Sequence, residues 1–177
     1  MSGPAPVAAA GVPAADFVYA DVPNRAIAYI IDAIILVIGL VIVGVILTTV
    51  GLGITSFVGA IVLGIIGLAL SAAYFVYTWT TMRATVGMQI LGMQVGNAGD
   101  GATLTQDQAI RRWLAISAPS ILAQALQPLA IIGVLVSVAA LGWLIYLIYT
   151  TAQSPTKQGW HDVFAKTMVV KAAKVAK

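Results

Sequence analysis

Long apolar stretches, broken by short polar segments, dominate the pattern of this chain. The first, Arg25 to Val50, is long enough to cross a lipid bilayer as one α-helix. A second follows at about residues 56–81, and the apolar stretch from Trp113 to Thr151 has about the length of two spans. The pattern therefore predicts four transmembrane helices, at about residues 25–50, 56–81, 108–127 and 129–151.

The last apolar stretch can be divided in two ways. Gln124, Gln127 and Pro128 interrupt it and indicate a turn between two full spans. The alternative is one span followed by a re-entrant segment within residues 113–151. The sequence leaves both arrangements open.

The polar segments between and after the spans predict a small cap. The connection from Arg83 to Arg112 contains a short amphipathic segment at about 85–91 and a strand-like segment at 92–96. The tail contains a helix-like segment at about 160–166 and a β-favouring run at 167–170. Because a lone strand would leave its backbone N–H and C=O groups unpaired, we predict that the two strand-like segments pair.

These elements define an all-α membrane protein, a four-transmembrane-helix bundle with a small cytoplasmic cap of short amphipathic helices and a two-stranded β pair. Residues 1–22, rich in Ala and Pro, are predicted to be a disordered tail. Residues 23–171 form the transmembrane domain, and residues 172–177 are a basic C-terminal tail. No basic start precedes an apolar core at the N-terminus, so we expect no cleaved signal peptide.

Composition supports a membrane protein and excludes several functions. Hydrophobic residues make up 60% of the chain and charged residues 8%, whereas soluble domains carry about 25% charged residues. The absence of cysteine excludes disulfides, thiolate metal sites and cysteine nucleophiles. The sequence contains no phosphate loop, zinc motif or catalytic carboxylate pair. We therefore predict that the protein is not an enzyme and has no cofactor or metal.

The basic residues fall on one side of the predicted membrane topology. The two short connections on the other side, near residues 51–56 and 127–129, contain no Lys or Arg. By the positive-inside rule, both termini and the central connection are cytoplasmic. Because topology accounts for these charges, we expect the lipid bilayer as a partner and no binding of nucleic acid.

Asp32, inside the first span, is the residue most in need of a partner. An ionised Asp within the hydrocarbon costs about 2.5–3.5 kcal/mol even on the insertion scale. Arg25 lies seven positions earlier, close to two helical turns, and so on nearly the same face. The predicted partners of Asp32 are Arg83 or the hydroxyls of Tyr77 and Tyr146, which lie at similar depth.

Three interpretations of Asp32 remain open. Its carboxylate is held by hydrogen bonds or an ion pair inside the bundle, or it is a proton or cation site, since intramembrane carboxylates commonly mark ion pathways. In the third interpretation it meets a charge on another subunit. Few polar residues surround it, whereas cation coordination usually needs several oxygens.

His161 and Asp162 are adjacent on the predicted tail helix. The chain has no other His, so a metal site here would lack ligands. Asp162 in the first turn of that helix would be favoured by the helix dipole. We therefore interpret the pair as structural.

Three segments, in order along the chain, resemble the RDD family of small bacterial membrane proteins, which is named for one Arg and two Asp. They are NRAIAYIIDAIIL, TVGMQILGMQVGNAGDGATLTQDQAIRRWL and QGWHDVFAKTMVV, and the resemblance covers about residues 22–171. By position, Arg25 and Asp32 match the first-helix pair of the family. Asp162, after His161, matches the second Asp.

The chain departs from the family pattern at two places. Met88 and Gln89 follow Gly87, where the family usually carries a basic residue, as in TLGKRLLG. Lys166 stands where the family often has Gly. The first departure argues against strong attraction of that segment to acidic lipids.

The resemblance implies two kinds of function, because transport, including cation/proton antiport, is attributed to some members and an accessory role in larger membrane assemblies to others. Our leading hypothesis is a transport-related protein in which Asp32 exchanges a proton or small cation, with Arg25 and Arg83 setting its field. The alternative is a non-catalytic accessory or scaffold subunit, in a homo-oligomer or a larger complex. Either would be a multi-pass protein of the bacterial plasma (inner) membrane.

Overall fold

The protein consists of long helices that meet a small sheet and two short helices at one end. The structure is a computed structural model and describes residues 17–53, 56–126 and 131–171. The elements in chain order are α1 (Val22–Thr49), α2 (Phe57–Tyr77), α3 (Val86–Ile90), β1 (Met93–Asn97), α4 (Gln106–Ala125), α5 (Ile131–Gln153), α6 (Trp160–Ala165) and β2 (Thr167–Lys171). A π-helical turn, Thr78–Met82, continues α2.

Three of the described helices are long and apolar enough to cross a membrane: α1, α2 with its π-helical turn, and α5. The chain is therefore a multi-pass membrane protein, as predicted. The helix predicted at 108–127 is present as α4, and it packs against α2 and α5. Its first two turns carry Asp107, Arg111 and Arg112, so its composition does not mark it as a fourth span.

The predicted pairing of the two strand-like segments is confirmed. β1 and β2 are antiparallel, with a register that runs from Met93 opposite Lys171 to Asn97 opposite Thr167. α3 leads into β1 and α6 leads into β2. We call α3, α6 and the two strands the cap.

The chain before α1 is ordered earlier than predicted. Tyr19 forms a β-bridge with Val170. The Ala20 N–H donates to the Val169 carbonyl at 3.0 Å, and the Lys171 N–H donates to the Val18 carbonyl at 2.8 Å. The boundary at residue 22 is thus too late, because this segment pairs with the edge of β2 that β1 leaves open. The predictions for residues 1–16 and 172–177 lie outside the described residues.

The best-buried side chains lie where the cap meets the membrane helices. Trp79, Met93, Val95 and Val169 are almost fully buried there. Farther from the cap, α1 exposes large apolar residues such as Val41, as expected where lipid covers a helix. The structure therefore places its densest packing, and its polar contacts, at the cap.

Candidate functional site

Asp32 is 2% exposed, and its carboxylate is held entirely by groups of this chain. Oδ1 accepts hydrogen bonds from the Tyr74 hydroxyl at 2.7 Å and from the Gly87 N–H at 2.8 Å. Oδ2 accepts from the Thr85 hydroxyl at 2.6 Å. All three partners are donors, so both oxygens of the Asp32 side chain act as hydrogen-bond acceptors.

The residues before and in α3 build this site by local rules. Thr85 is the N-cap of α3, and its hydroxyl oxygen accepts from the Met88 N–H at 3.2 Å. The Tyr74 oxygen accepts from the Val86 N–H at 3.1 Å. Both hydroxyl oxygens are thus occupied by backbone N–H groups, which leaves their hydrogens for the carboxylate. Asp32, on α1, accepts from the Gly87 N–H and so helps Thr85 to cap the N-terminus of α3.

The predicted partners of Asp32 were wrong. Tyr77 and Tyr146 are 63% and 43% exposed, and Arg83 donates to the Gly101 carbonyl in the connection after β1. For Arg83 the reason is the backbone between α2 and α3, where a π-helical turn is followed by a left-handed φ of 57° at Arg83 itself. For the tyrosines the error is one helical turn, since the hydroxyl that reaches Asp32 is that of Tyr74, one turn before Tyr77 on the regular part of α2.

Gly87 allows α3 to approach α1 closely. A Cβ at this position would lie 2.2 Å from the backbone oxygen of Ala28, closer than any carbon can come. We expect Gly87→Ala to lower the free energy of unfolding by about 1–3 kcal/mol, because the overpacked helix must move away from Asp32. Gly142→Ala is the matched control, since a Cβ there meets nothing within 4 Å. Equal melting temperatures for the two variants in detergent would contradict this packing.

Asp162, the second acid of interest, is fully buried and pairs with two arginines. Arg25 donates to Oδ2 at 2.8 Å, and Arg112 donates to Oδ1. Oδ2 also accepts from the Gly159 N–H at 3.2 Å, and Oδ1 accepts from the Thr167 hydroxyl at 3.2 Å. As predicted, Asp162 lies in the first turn of α6.

The two arginines extend this cluster to other elements. Arg25 donates to the carbonyls of Val169 at 3.1 Å and Ala20 at 3.2 Å. Arg112 lies over the Trp79 ring, 5.2 Å from its centroid. The cluster thus joins α1, α4, α6 and β2, and we call Arg25, Arg112 and Asp162 the arginine–aspartate joint.

Burial and neighbouring charges determine the pKa values of Asp162 in the joint and of the adjacent His161. Burial alone would raise the pKa of Asp162, but its cationic neighbours outweigh burial and hold that pKa well below its usual range. Burial lowers the pKa of His161 to about 4, against the opposing pull of Asp162. His161 is therefore neutral near pH 7, and the two arginines neutralise Asp162.

One cavity lies beside Asp32, and a second adjoins the first. The first, of about 240 Å³, lies between α1, α4 and α5 near the cap, and Arg25, Asp32, Arg112 and His161 are among the residues that line it. We call it the inner cavity. The second, of about 550 Å³, lies between α1, α2 and α4 farther from the cap. Tyr29 and Ser117 line both.

The structure therefore rearranges the predicted site. Arg25 is brought to Asp162 rather than to Asp32, which lies about two helical turns further along α1. Sequence reasoning missed Tyr74 and Thr85 as partners of Asp32, and Arg112 as a partner of Asp162. Thr85 alone gave a signal, since it is the first residue of the amphipathic segment predicted at about 85–91.

The fold and this pair of buried acids define a multi-pass membrane protein whose cap is held to its helices by charge. The chain belongs to the RDD family, because the model of that family matches residues 19–166. Searches of curated proteins and of solved structures gave no match. Arg25, Asp32 and Asp162, assigned above to the Arg and two Asp of the family, are all at the junction of cap and helices.

Proposed function

We propose that the protein is a non-catalytic accessory or scaffold subunit of a membrane protein assembly. The observation that carries this proposal is that every carboxylate oxygen of its two buried acids is hydrogen-bonded within the chain. Each oxygen of Asp32 and of Asp162 accepts from donors of the same chain. A proton or cation that used either acid would have to displace these donors.

The chemistry of the contacts around Asp32 favours a structural role for its carboxylate over cation binding. A bound cation needs oxygen acceptors around it. The groups that face Asp32 are the hydroxyl hydrogens of Tyr74 and Thr85 and the Gly87 N–H, all of which would repel a cation. The order of the two hypotheses drawn from the sequence is therefore reversed.

The proposal includes an orientation in the membrane. α4, packed against α2 and α5, would be the third of four spans, with the cap and both termini on the cytoplasmic side of a bacterial inner membrane. The cysteine-free chain makes this testable with single cysteines. In spheroplasts, a membrane-impermeant maleimide should label Val50→Cys directly and Gly99→Cys only after permeabilisation. The opposite labelling would overturn the orientation.

Measuring cation flux through the isolated protein distinguishes the accessory role from a transport function. In reconstituted vesicles we expect no pH-dependent cation flux from the wild type, and therefore no difference for Asp32→Asn. Asp107→Asn, at an exposed acid, is the matched control. Wild-type flux that disappears in folded Asp32→Asn, and persists in Asp107→Asn, would overturn the proposal.

The accessory role also predicts a partner. Purified from its native membrane in mild detergent, the protein should run as a complex of fixed stoichiometry, with a native mass above that of one chain. A monomer with robust flux would reject the role.

Proton or small-cation exchange is the second candidate function, and one observation favours it. Asp32 and Ser117 line the inner cavity, and Ser117, Ser120 and Gln124, at helical spacing on α4, line the second cavity. This polar stripe would give ions a path towards Asp32. The candidate predicts flux that is lost in Ser117→Ala as well as in Asp32→Asn.

A further inference from the structure

Three buried nitrogen atoms around the inner cavity lack a hydrogen-bond partner among the residues that the structure describes: Trp79 Nε1, Arg112 Nε and His161 Nδ1. All three side chains line the cavity. Trp79 is 2% exposed and Arg112 3% exposed, so bulk water does not satisfy them. Buried donors of this kind are rarely left unpaired, because burial without a partner is unfavourable. Trp79 Nε1 and Arg112 Nε are donors only, so the missing partner is an acceptor.

The local charge favours an acceptor that is negative. Arg25 and Arg112 together carry two positive charges, and Asp162 supplies one negative charge. Asp32, which also lines the cavity, lies about two helical turns from Arg25 along α1 and has its own donors. The charged groups that line the inner cavity among the described residues are thus two guanidinium groups and the already occupied carboxylate of Asp32, since neither Asp162 nor Asp21, the other acids near Arg25, lines it.

The rest of the cavity is apolar. Its walls away from the charges come from α4 and α5, with side chains such as Trp113, Ile116, Leu144 and Leu147. Ile30 on α1 and Ile148 on α5 also line it and are about half exposed, on faces that lipid would cover. The opening between α1 and α5 thus faces the interior of a bilayer, where hydrocarbon chains are available.

We propose that the inner cavity binds an amphiphile with an anionic oxygen headgroup, held by Arg112 and Trp79, and a hydrocarbon chain along α4 and α5. The phosphate of an anionic phospholipid and the carboxylate of a fatty acid both have this chemistry. Small inorganic anions would fill the polar end but not the apolar walls. Zwitterionic lipids would bring a second, positive group towards Arg25 and Arg112.

Native mass spectrometry of the delipidated full-length protein in mild detergent tests the site. The protein is titrated separately with phosphatidylglycerol, palmitate and phosphatidylcholine. We expect phosphatidylglycerol or palmitate to bind at a single site at least tenfold more tightly than phosphatidylcholine. The stronger of the two identifies the source of the headgroup. Equal binding of all three, or no saturable binding, would overturn the proposal.

Variants locate the bound molecule. Trp79→Phe removes one donor without changing charge and keeps an aromatic ring under Arg112, so we expect about fivefold weaker binding. Leu144→Trp fills the apolar part and should weaken binding at least tenfold. Trp160→Phe is the matched control, because Trp160 is 40% exposed on α6 and is not among the residues that line the cavity.

Measuring both variants keeps the test decisive even if one of them fails to fold. Should Leu144→Trp fail to fold, the comparison of Trp79→Phe with Trp160→Phe decides alone. Equal affinity in those two proteins would place the amphiphile elsewhere and overturn the assignment. A loss in Trp79→Phe only supports it, whatever the flux measurements give.

Discussion

Replacing Asp162 by asparagine is expected to lower the free energy of unfolding by about 3–5 kcal/mol, the cost of removing one partner from a buried ion pair. Asp162 is fully buried, and Arg25 and Arg112 would remain beside it without a counter-charge. Because the joint ties α1 and α4 to the cap, the loss should appear as a single lower melting temperature. Circular dichroism during heating in detergent measures it.

The matched control is Asp107→Asn. Asp107 pairs with Arg111 one turn along α4, and the two side chains are 66% and 51% exposed. An exposed pair at this spacing contributes only about 0.3–0.5 kcal/mol. Similar losses for Asp162→Asn and Asp107→Asn would show that the joint does not hold the cap.

Lowering the pH from about 6.5 to 4 is expected to cost the wild type roughly 3 kcal/mol of unfolding free energy. The pKa of His161 is about 4 in the fold, where burial disfavours its charged form, and about 6.5 in the unfolded chain. Between these values the unfolded chain binds a proton that the folded chain does not, so stability falls as the pH falls. Chemical unfolding at several pH values gives the slope.

The slope of unfolding free energy against pH can be assigned to His161, because it is the single histidine of the chain. His161→Gln should remove most of this dependence, whatever constant change it makes in stability. Asp162 contributes little in this window, because a carboxyl whose pKa is lowered in the fold loses its stabilisation mainly below about pH 4, the usual pKa of aspartate. Parallel curves for wild type and His161→Gln between pH 6.5 and 4 would contradict the burial of a neutral His161.

Much of the fold could be predicted because local signals and pairing rules are strong. The apolar stretches gave α1, α2 and α5, and two β-favouring runs, each needing a partner for its backbone, gave the sheet. The helix predicted at 108–127 begins at Gln106, directly after Thr105, which forms a capping box with Gln108. The ordered segment at 17–21 was missed because its order comes from pairing with β2, a contact with no local sequence signal.

The site was harder to predict because it depends on backbone geometry. Counting residues along regular helices placed Arg83 and Tyr77 near Asp32. The π-helical turn at Thr78–Met82 and the left-handed φ of Arg83 redirect Arg83, and neither follows from residue spacing. Tyr77 was misplaced by one helical turn, since Tyr74 on the same regular helix is the partner. Arg112 was assigned to topology only, since nothing in the sequence shows that it lies across from Asp162.

The most direct test of whether Asp32 holds α3 against α1 is hydrogen–deuterium exchange of the Asp32→Asn variant. An asparagine side chain cannot accept from Tyr74, Thr85 and Gly87 with both of its polar atoms. We therefore predict faster exchange of the backbone amides of residues 85–97 than in the wild type, with unchanged exchange in the middle of α2. Unchanged exchange throughout residues 85–97 in the folded variant would contradict the account.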